Sequence, residues 1–344
     1  MNLLLALLSP VFVYVANQAS GKVTVIDAAT DSVVAVVDFT TLGFSAHPKP
    51  HHIVVEPDGS YWYVSLVGDN AVVKLDRSNH VVAKAETVTP GLLALDPKSD
   101  LLYATRSMSA VNAPARIAVI NRKTMTPAEV EVLVPRPHGL AVAPDGRHAY
   151  IGSLGANQLA VYDAKREHVG IVDVPGGDTS QVIVGLAVSP DGKTLVATAQ
   201  LTGKLLVFDL SDPAKPKLVQ RVPTGDWPWL VAFTPDGGEV WVPNQRSNDV
   251  TVVDARHWSV ATTVKGDFAQ PDGIGISADG RLVFVANHNT DNVMNMGGIS
   301  MAMPAPGGTV QPGRVLVIDA RRREVVRRID TVPDGSGLGL GGKP

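Results

Sequence analysis

Residues 137–163 read PHGLAVAPDGRHAYIGSLGANQLAVYD, and this stretch holds three strands and two turns. Leu140, Ala141 and Val142 form an apolar run behind a glycine, the pattern of a strand covered on both faces. Pro144-Asp145-Gly146 then supplies a fixed φ, a side chain able to bond its own backbone and a residue tolerant of positive φ. Together these make a tight turn. His148 to Ile151 resume as a second strand, Gly155-Ala156-Asn157 reverses the chain, and Leu159 to Tyr162 form a third strand ending in Asp163. A more polar fourth strand is expected near Val169 to Val174.

The unit repeats. The residue ending its third strand recurs as Asp27, Asp76, Asn121, Asp163, Asp209, Asp254 and Asp319, spaced by 42 to 49 residues except for a last gap of 65. Four strands per unit at a period in the forties predict an all-β, seven-bladed β-propeller of four-stranded antiparallel blades. One such ring uses nearly all of the 344 residues, so residues 1–344 are expected to form a single domain.

The ends complete the circle. Val11 to Asn17 matches a second strand, so the first blade lacks its innermost one at the start. The tail Pro333-Asp334-Gly335-Ser336-Gly337-Leu338 can be laid on Pro271-Asp272-Gly273-Ile274-Gly275-Ile276, itself an innermost strand. Closure by the C-terminal strand joining the N-terminal blade is therefore expected, removing two open sheet edges. The long last gap marks an insertion at 288–312, between the second and third strands of blade seven.

Composition narrows the function. The net charge is −3 with basic residues scattered, apart from Arg321-Arg322-Arg323 in a predicted turn, so no nucleic-acid partner is expected. The absence of cysteine excludes disulfides, thiolate zinc sites, iron–sulfur clusters and covalently attached c-type haem. The opening MNLLLALLSPVF reads either as the remnant of a secretory leader or as an apolar first strand, and no segment is long enough to span a membrane. A periplasmic or extracellular monomer is the expectation.

Tyr14-Val15-Ala16-Asn17 and Phe284-Val285-Ala286-Asn287, each followed by a Gly or Asn turn and a V-x-V-I-D type strand, together with Ser189-Pro190-Asp191-Gly192, resemble the YVTN family of seven-bladed β-propellers. The resemblance covers essentially the whole chain. It implies the architecture firmly and activity weakly, since surface-layer proteins, periplasmic binding propellers and parts of redox systems share these repeats. More remotely, the chain is similar to propellers that carry a modified haem or a copper cluster in denitrification enzymes.

In a propeller, the loops entering the innermost strand (A) and those joining the second and third strands (B and C) share one face, where a ligand would enter. The tail alignment places His51, His138, Trp229, Asp272 and Asp334 at the opening of strand A, and Asn17, Arg106, Asn244 and Asn287 at the end of strand B. His288 begins the insertion on the same face, and Met294, Met296, Met301 and Met303 follow within it. Imidazole with thioether favours copper, especially Cu(I), so His51, His138, His288, Met294 and Met296 are candidate ligands of copper or another divalent metal. Against this, a histidine opening a strand often caps a turn, and methionine in a long loop often packs over a cavity mouth.

Asp272 and Asp334 form a candidate acid–base pair, although aspartate in Pro-Asp-Gly commonly serves its own turn. Trp227-Pro228-Trp229, with Arg106 across the mouth, could stack a ring-shaped ligand, or pack between blades, more naturally for Trp227. No G-x-S-x-G, H-E-x-x-H or P-loop is present. The favoured expectation is an exported module that binds a small molecule or protein partner at the top face without turning it over. The alternatives are a copper- or haem-dependent redox protein, and a divalent-metal-dependent lyase or lactonase.

Overall fold

A computed structural model describes residues 11–109, 113–176, 179–289, 293–296, 299–302 and 311–341. Seven four-stranded antiparallel sheets follow one another along the chain, each running A to D from the channel outward. Blade 1 combines strand A from Gly335–Gly341 with B, C and D from Phe12–Asn17, Lys22–Asp27 and Ser32–Asp38. Ring closure is as expected, with Phe12 opposite Gly341 and Val15 opposite Leu338. The insertion of blade 7 carries a two-stranded hairpin, Val293–Met296 paired with Ile299–Ala302. The helical segments among the described residues are two 3-10 turns, Phe39–Thr41 and Gln200–Thr202.

Strand alternation builds the ring. Val13 and Val15 pack toward blade 7 with Phe284, Val315 and Val317, whereas Tyr14 and Ala16 pack toward blade 2 with Trp62 and Val64. Both faces of strand B are thus buried, which is why these strands read as continuous apolar runs. Strand D is the exposed edge, and in blade 1 Val33, Val34 and Val36 are more than two-fifths exposed.

The residue ending each strand C is a turn-forming device. Its carboxylate or amide oxygen accepts the backbone N–H two residues on in the first six blades, as from Ala29 to Asp27 and from Lys123 to Asn121. In blade 7 Asp319 accepts from Arg322 instead, with Arg321-Arg322-Arg323 in that turn. Of those arginines, Arg323 pairs with Glu239 of blade 6.

Strand A carries the feature that matters for the site. Pro50 lies opposite Leu66 but Ile53 opposite Val64, so strand A holds one extra residue there, a β-bulge. The same bulge recurs after Pro137, Ile183 and Pro271, and in the closing strand after Gly335. A bulge re-aims side chains, and here it acts at the first turn of strand A, at the channel mouth. The N–H it displaces is recovered by a hydroxyl from strand B: Ser65 Oγ accepts from His52 N at 3.1 Å and donates to Gly91 O of the next blade at 2.8 Å. Thr198 does the same with Gly185 N and Trp229 O.

These pairings correct the tail alignment by two residues. Asn17 lies opposite Gly335, as Asn287 lies opposite Pro271, so Ser336 rather than Asp334 is equivalent to His51, His138, Trp229 and Asp272. Asp334 stands two positions earlier, equivalent to Lys49, Arg136, Val182, Trp227 and Gln270, all of which have φ between 51° and 67°. A left-handed residue therefore introduces each of these A strands. The sequence concealed this because none of those six residues is glycine.

Candidate functional site at the channel mouth

The left-handed residue leaves its carbonyl pointing at the loop that follows strand B. In six blades that carbonyl accepts the N–H of the residue just past strand B, as Gln270 O accepts from His288 and Trp227 O from Gln245. This fixes an additional ring of side chains at the mouth, which includes Gln18, Gln200, Gln245 and His288, all buried. Only His288 was anticipated from this ring. The others follow the last B residue directly, a signal visible only once the strand ends are known.

His288 joins the two aspartates. Its Nε2 lies 2.7 Å from Asp272 Oδ2 and its Nδ1 lies 2.6 Å from Asp334 Oδ1. Gln245 Nε2 donates to the same Asp272 oxygen at 3.2 Å, and the other Asp334 oxygen accepts from Ala19 N at 2.9 Å. One chain of hydrogen bonds thus runs from blade 6 through blade 7 to both parts of blade 1. Burial alone would lower the imidazole pKa, but the carboxylates of Asp334 and Asp272 outweigh it and hold it at about 10. At neutral pH His288 is an imidazolium between two carboxylates.

The other histidines have the opposite character. His52 points into the next blade, where its Nδ1 accepts from Leu93 N at 3.2 Å, and burial lowers its pKa to about 4. His138 Nδ1 lies 2.8 Å from Val184 O, which fixes the proton on Nδ1 and leaves Nε2 with its lone pair, buried and without a partner among the described residues. In His51 both ring nitrogens are buried and have no partner among the described residues. Burial pushes both imidazoles down, His51 well below the ordinary range, so they are neutral at pH 7. The rings of His51 and His138 stand edge to face at 6.2 Å, and Trp229 packs edge to face against His138 at 6.1 Å.

The remaining candidates serve the scaffold. Asn17 donates to Val332 O at 2.7 Å while its oxygen accepts from Thr24 N and Oγ1, pinning blade 1 to the incoming closing strand. Asn244 donates to Asp249 and Thr251, and Asn287 accepts from Ala269 N and donates to Val285 O. Arg106 donates to Val88 O and pairs with Glu129, both in its own neighbourhood on blades 2 and 3. At the end of strand B these amides tie the strand to its surroundings: Asn17 and Asn287 bond the segment that leads into a strand A, and Asn17 and Asn244 bond strand C of their own blade. Asn17→Ala is accordingly expected to lower stability by about 1–3 kcal/mol, read by chemical denaturation; unchanged stability would return Asn17 to the binding set.

The two tryptophans exchange the roles expected of them. Trp229 is 3% exposed and belongs to the core, whereas Trp227, introducing the strand, is half-buried with the Arg246 guanidinium 5.4 Å from its ring. The side chains of Met294 and Met296 lie outside the described residues, as does Met303 altogether. Among the described residues, no three His, Asp or Glu side chains are placed to share a metal ion. His288 does not join His51 and His138 as a third ligand, because both its nitrogens face carboxylates.

Comparison with known proteins agrees with the architecture. The family model that matches is Lactonase, 7-bladed beta-propeller. It covers residues 175–259, about blades 5 and 6. Among curated proteins, Antigen Lp49 of Leptospira interrogans is 27% identical over 67% of this chain and 53% of its own length. Hydrazine synthase subunit beta of Kuenenia stuttgartiensis is 31% identical over 34% of this chain and 24% of its own. The chain therefore spans about half or less of the curated relatives it matches. Among solved structures, Kuenenia stuttgartiensis hydrazine synthase superposes with a TM-score of 0.67 at 20% identity, covering 86% of this chain and 90% of that one. A protein of unknown function from Desulfotomaculum acetoxidans gives 0.75 at 13% identity over 97% and 99% of the two chains. At these identities the superpositions speak for the fold alone. No helix among the described residues is long and apolar enough to cross a membrane.

Proposed function

We propose that this chain is a YVTN-type ligand-binding propeller, exported from the cytoplasm, whose ligand enters the channel mouth and meets His51 and His138. The observation that carries the reading is the set of buried ring nitrogens on these two residues that have no hydrogen-bond partner among the described residues. A polar atom buried without a hydrogen bond costs about 1–3 kcal/mol, and two such residues face each other at one spot where apolar side chains would pack better. A bound group that satisfies them accounts for their presence. The ligand is a cation or a group that donates to the one lone pair each neutral imidazole offers, with the N–H of His51 left for an acceptor on the ligand, and the nearby Asp272–His288–Asp334 group, one imidazolium between two carboxylates, favours a cation.

A hydrolytic reading, suggested by the Lactonase family match, meets a chemical obstacle. A general base must be unprotonated near neutral pH and must face its substrate. His288, with its pKa at about 10, is already protonated, and the carboxylates that would replace it are occupied by His288, Gln245 and Ala19. Relay geometry is present without a free base.

His138→Phe keeps a ring against Trp229 and removes both nitrogens, so it separates binding from packing. Because His138 Nδ1 also bonds Val184 O, the variant takes the donor from that buried carbonyl and is expected to lose about 1–3 kcal/mol of stability, so binding is read as the shift above its own lowered melting temperature. Thermal shift with panels of organic cations, neutral polyols and organic anions provides the binding test. Cations or neutral donors should raise the wild-type melting temperature and leave His138→Phe unmoved. Shifts produced by anions, shifts that survive the substitution, or no shift from any compound or metal would each sink the reading. Export is tested by fractionating cells that make the native chain.

A further inference from the structure

The geometry points to His51 and His138 as the two protein ligands of a single monovalent copper ion, held between their rings at the channel mouth. This rests on the binding reading above and names its ligand. The first support is the state of His138. A carbonyl that takes the Nδ1 proton of a metal-binding histidine fixes its tautomer and presents the opposite nitrogen as an unprotonated donor. Val184 O, 2.8 Å from Nδ1, does this for a histidine whose Nε2 is otherwise buried and unpartnered.

The second support is spacing. Two metal–imidazole bonds of about 2 Å bridge ring centroids roughly 6 Å apart, and those of His51 and His138 are 6.2 Å apart with their planes at 68°. The third is ligand count. Zinc and the other divalent ions ask for four or more donors, whereas no third His, Asp or Glu is placed to share an ion here among the described residues. A filled-shell, soft monovalent ion is satisfied by two nitrogens in line. The Asp272–His288–Asp334 group, one imidazolium between two carboxylates, offsets the ion's charge.

The test is an anaerobic titration of the full chain with Cu(I) against a chromogenic cuprous chelator, with X-ray absorption of the loaded protein. One equivalent is expected, with the absorption edge of a two-coordinate cuprous ion and two nitrogen neighbours. His51→Phe and His138→Phe should each weaken binding by at least ~100-fold, while His148→Gln, whose imidazole contacts Asp145 in a turn away from the mouth, should not. No chelator-resistant copper, copper retained by the His51→Phe/His138→Phe double variant, or equally tight zinc would overturn the assignment. Failure to bind copper alongside an organic-ligand shift abolished by His138→Phe would end this inference and leave the binding reading standing. Failure of both measurements would end both.

Discussion

His288→Gln is expected to lower the melting temperature by roughly 5 °C and to abolish most of the loss of stability that the wild-type chain shows in mild alkali. The imidazolium is buried between Asp272 and Asp334, and removing one member of a buried ion pair leaves the rest uncompensated, at a cost of about 3–5 kcal/mol. The glutamine can still hydrogen bond one carboxylate, so the loss is electrostatic rather than a cavity.

The pH dependence has a definite sign. His288 binds its proton more tightly in the folded state, where its pKa is about 10, than in the unfolded chain, where it is near 6.5. Its contribution is complete below about pH 6.5 and disappears progressively as the pH rises through 10, because over that window only the folded state holds the proton. Denaturation curves from pH 7 to 10 should therefore slope downward for the wild type and be nearly flat for His288→Gln. Equal melting temperatures with parallel slopes would show that His288 is neutral and that the carboxylates bear the proton.

The buried neutral histidines act at the other end of the scale. His52 falls to about 4 on folding, so the unfolded chain takes up the proton first and stability declines as the pH drops below about 6.5. The channel-mouth histidines thus confine the protein between an acid limit set by burial and an alkaline limit set by one ion pair.

What the sequence disclosed and what it hid follow from the range of the forces involved. Blade number, strand order and the turn role of Asp27 and its equivalents are local properties, repeated seven times, so each copy supports the others. The candidate site depends on register, where one bulge residue decides which side chain faces the channel. The tail misalignment shows this: Pro333-Asp334-Gly335 imitates Pro271-Asp272-Gly273 in letters, yet Gly335 takes the place of Pro271. Asp334 still reaches the site, but from the left-handed position, and its partner His288 comes from a different ring of residues. The same limit applies to Asn17, Asn244 and Asn287: their position at the mouth was legible, whereas the use of their amides by strand C and by the segment ahead of strand A was not.

Gly337→Val is expected to open the ring at its closure and disturb the mouth together. A Cβ at Gly337 would stand 2.2 Å from His51 O and 2.8 Å from His52 Cα, both backbone atoms of the neighbouring A strand that cannot swing aside. Gly185 and Gly273 occupy the equivalent place, and there a Cβ would meet Trp229 O at 2.5 Å and Ser336 O at 2.4 Å. Glycine at this position in these three blades lets the A strand lean on the backbone of the next, so on these sides the width of the mouth is set by backbone contact. Overpacking typically costs about 1–3 kcal/mol, and a rigid backbone obstacle belongs at or beyond the upper end. The closing strand is held to blade 1 by hydrogen bonds and by the packing of Leu338 and Leu340, without a covalent link to that sheet, so separation of Gly335–Gly341 from Phe12–Asn17 is the cheapest relief. Amide hydrogen exchange should show protection lost first in those two strands and at His51, with the D strands of blades 4 and 5 unaffected. Uniform loss of protection around the ring would mean that closure and the far blades unfold as one unit, and wild-type protection at His51 would mean that the mouth does not depend on this glycine.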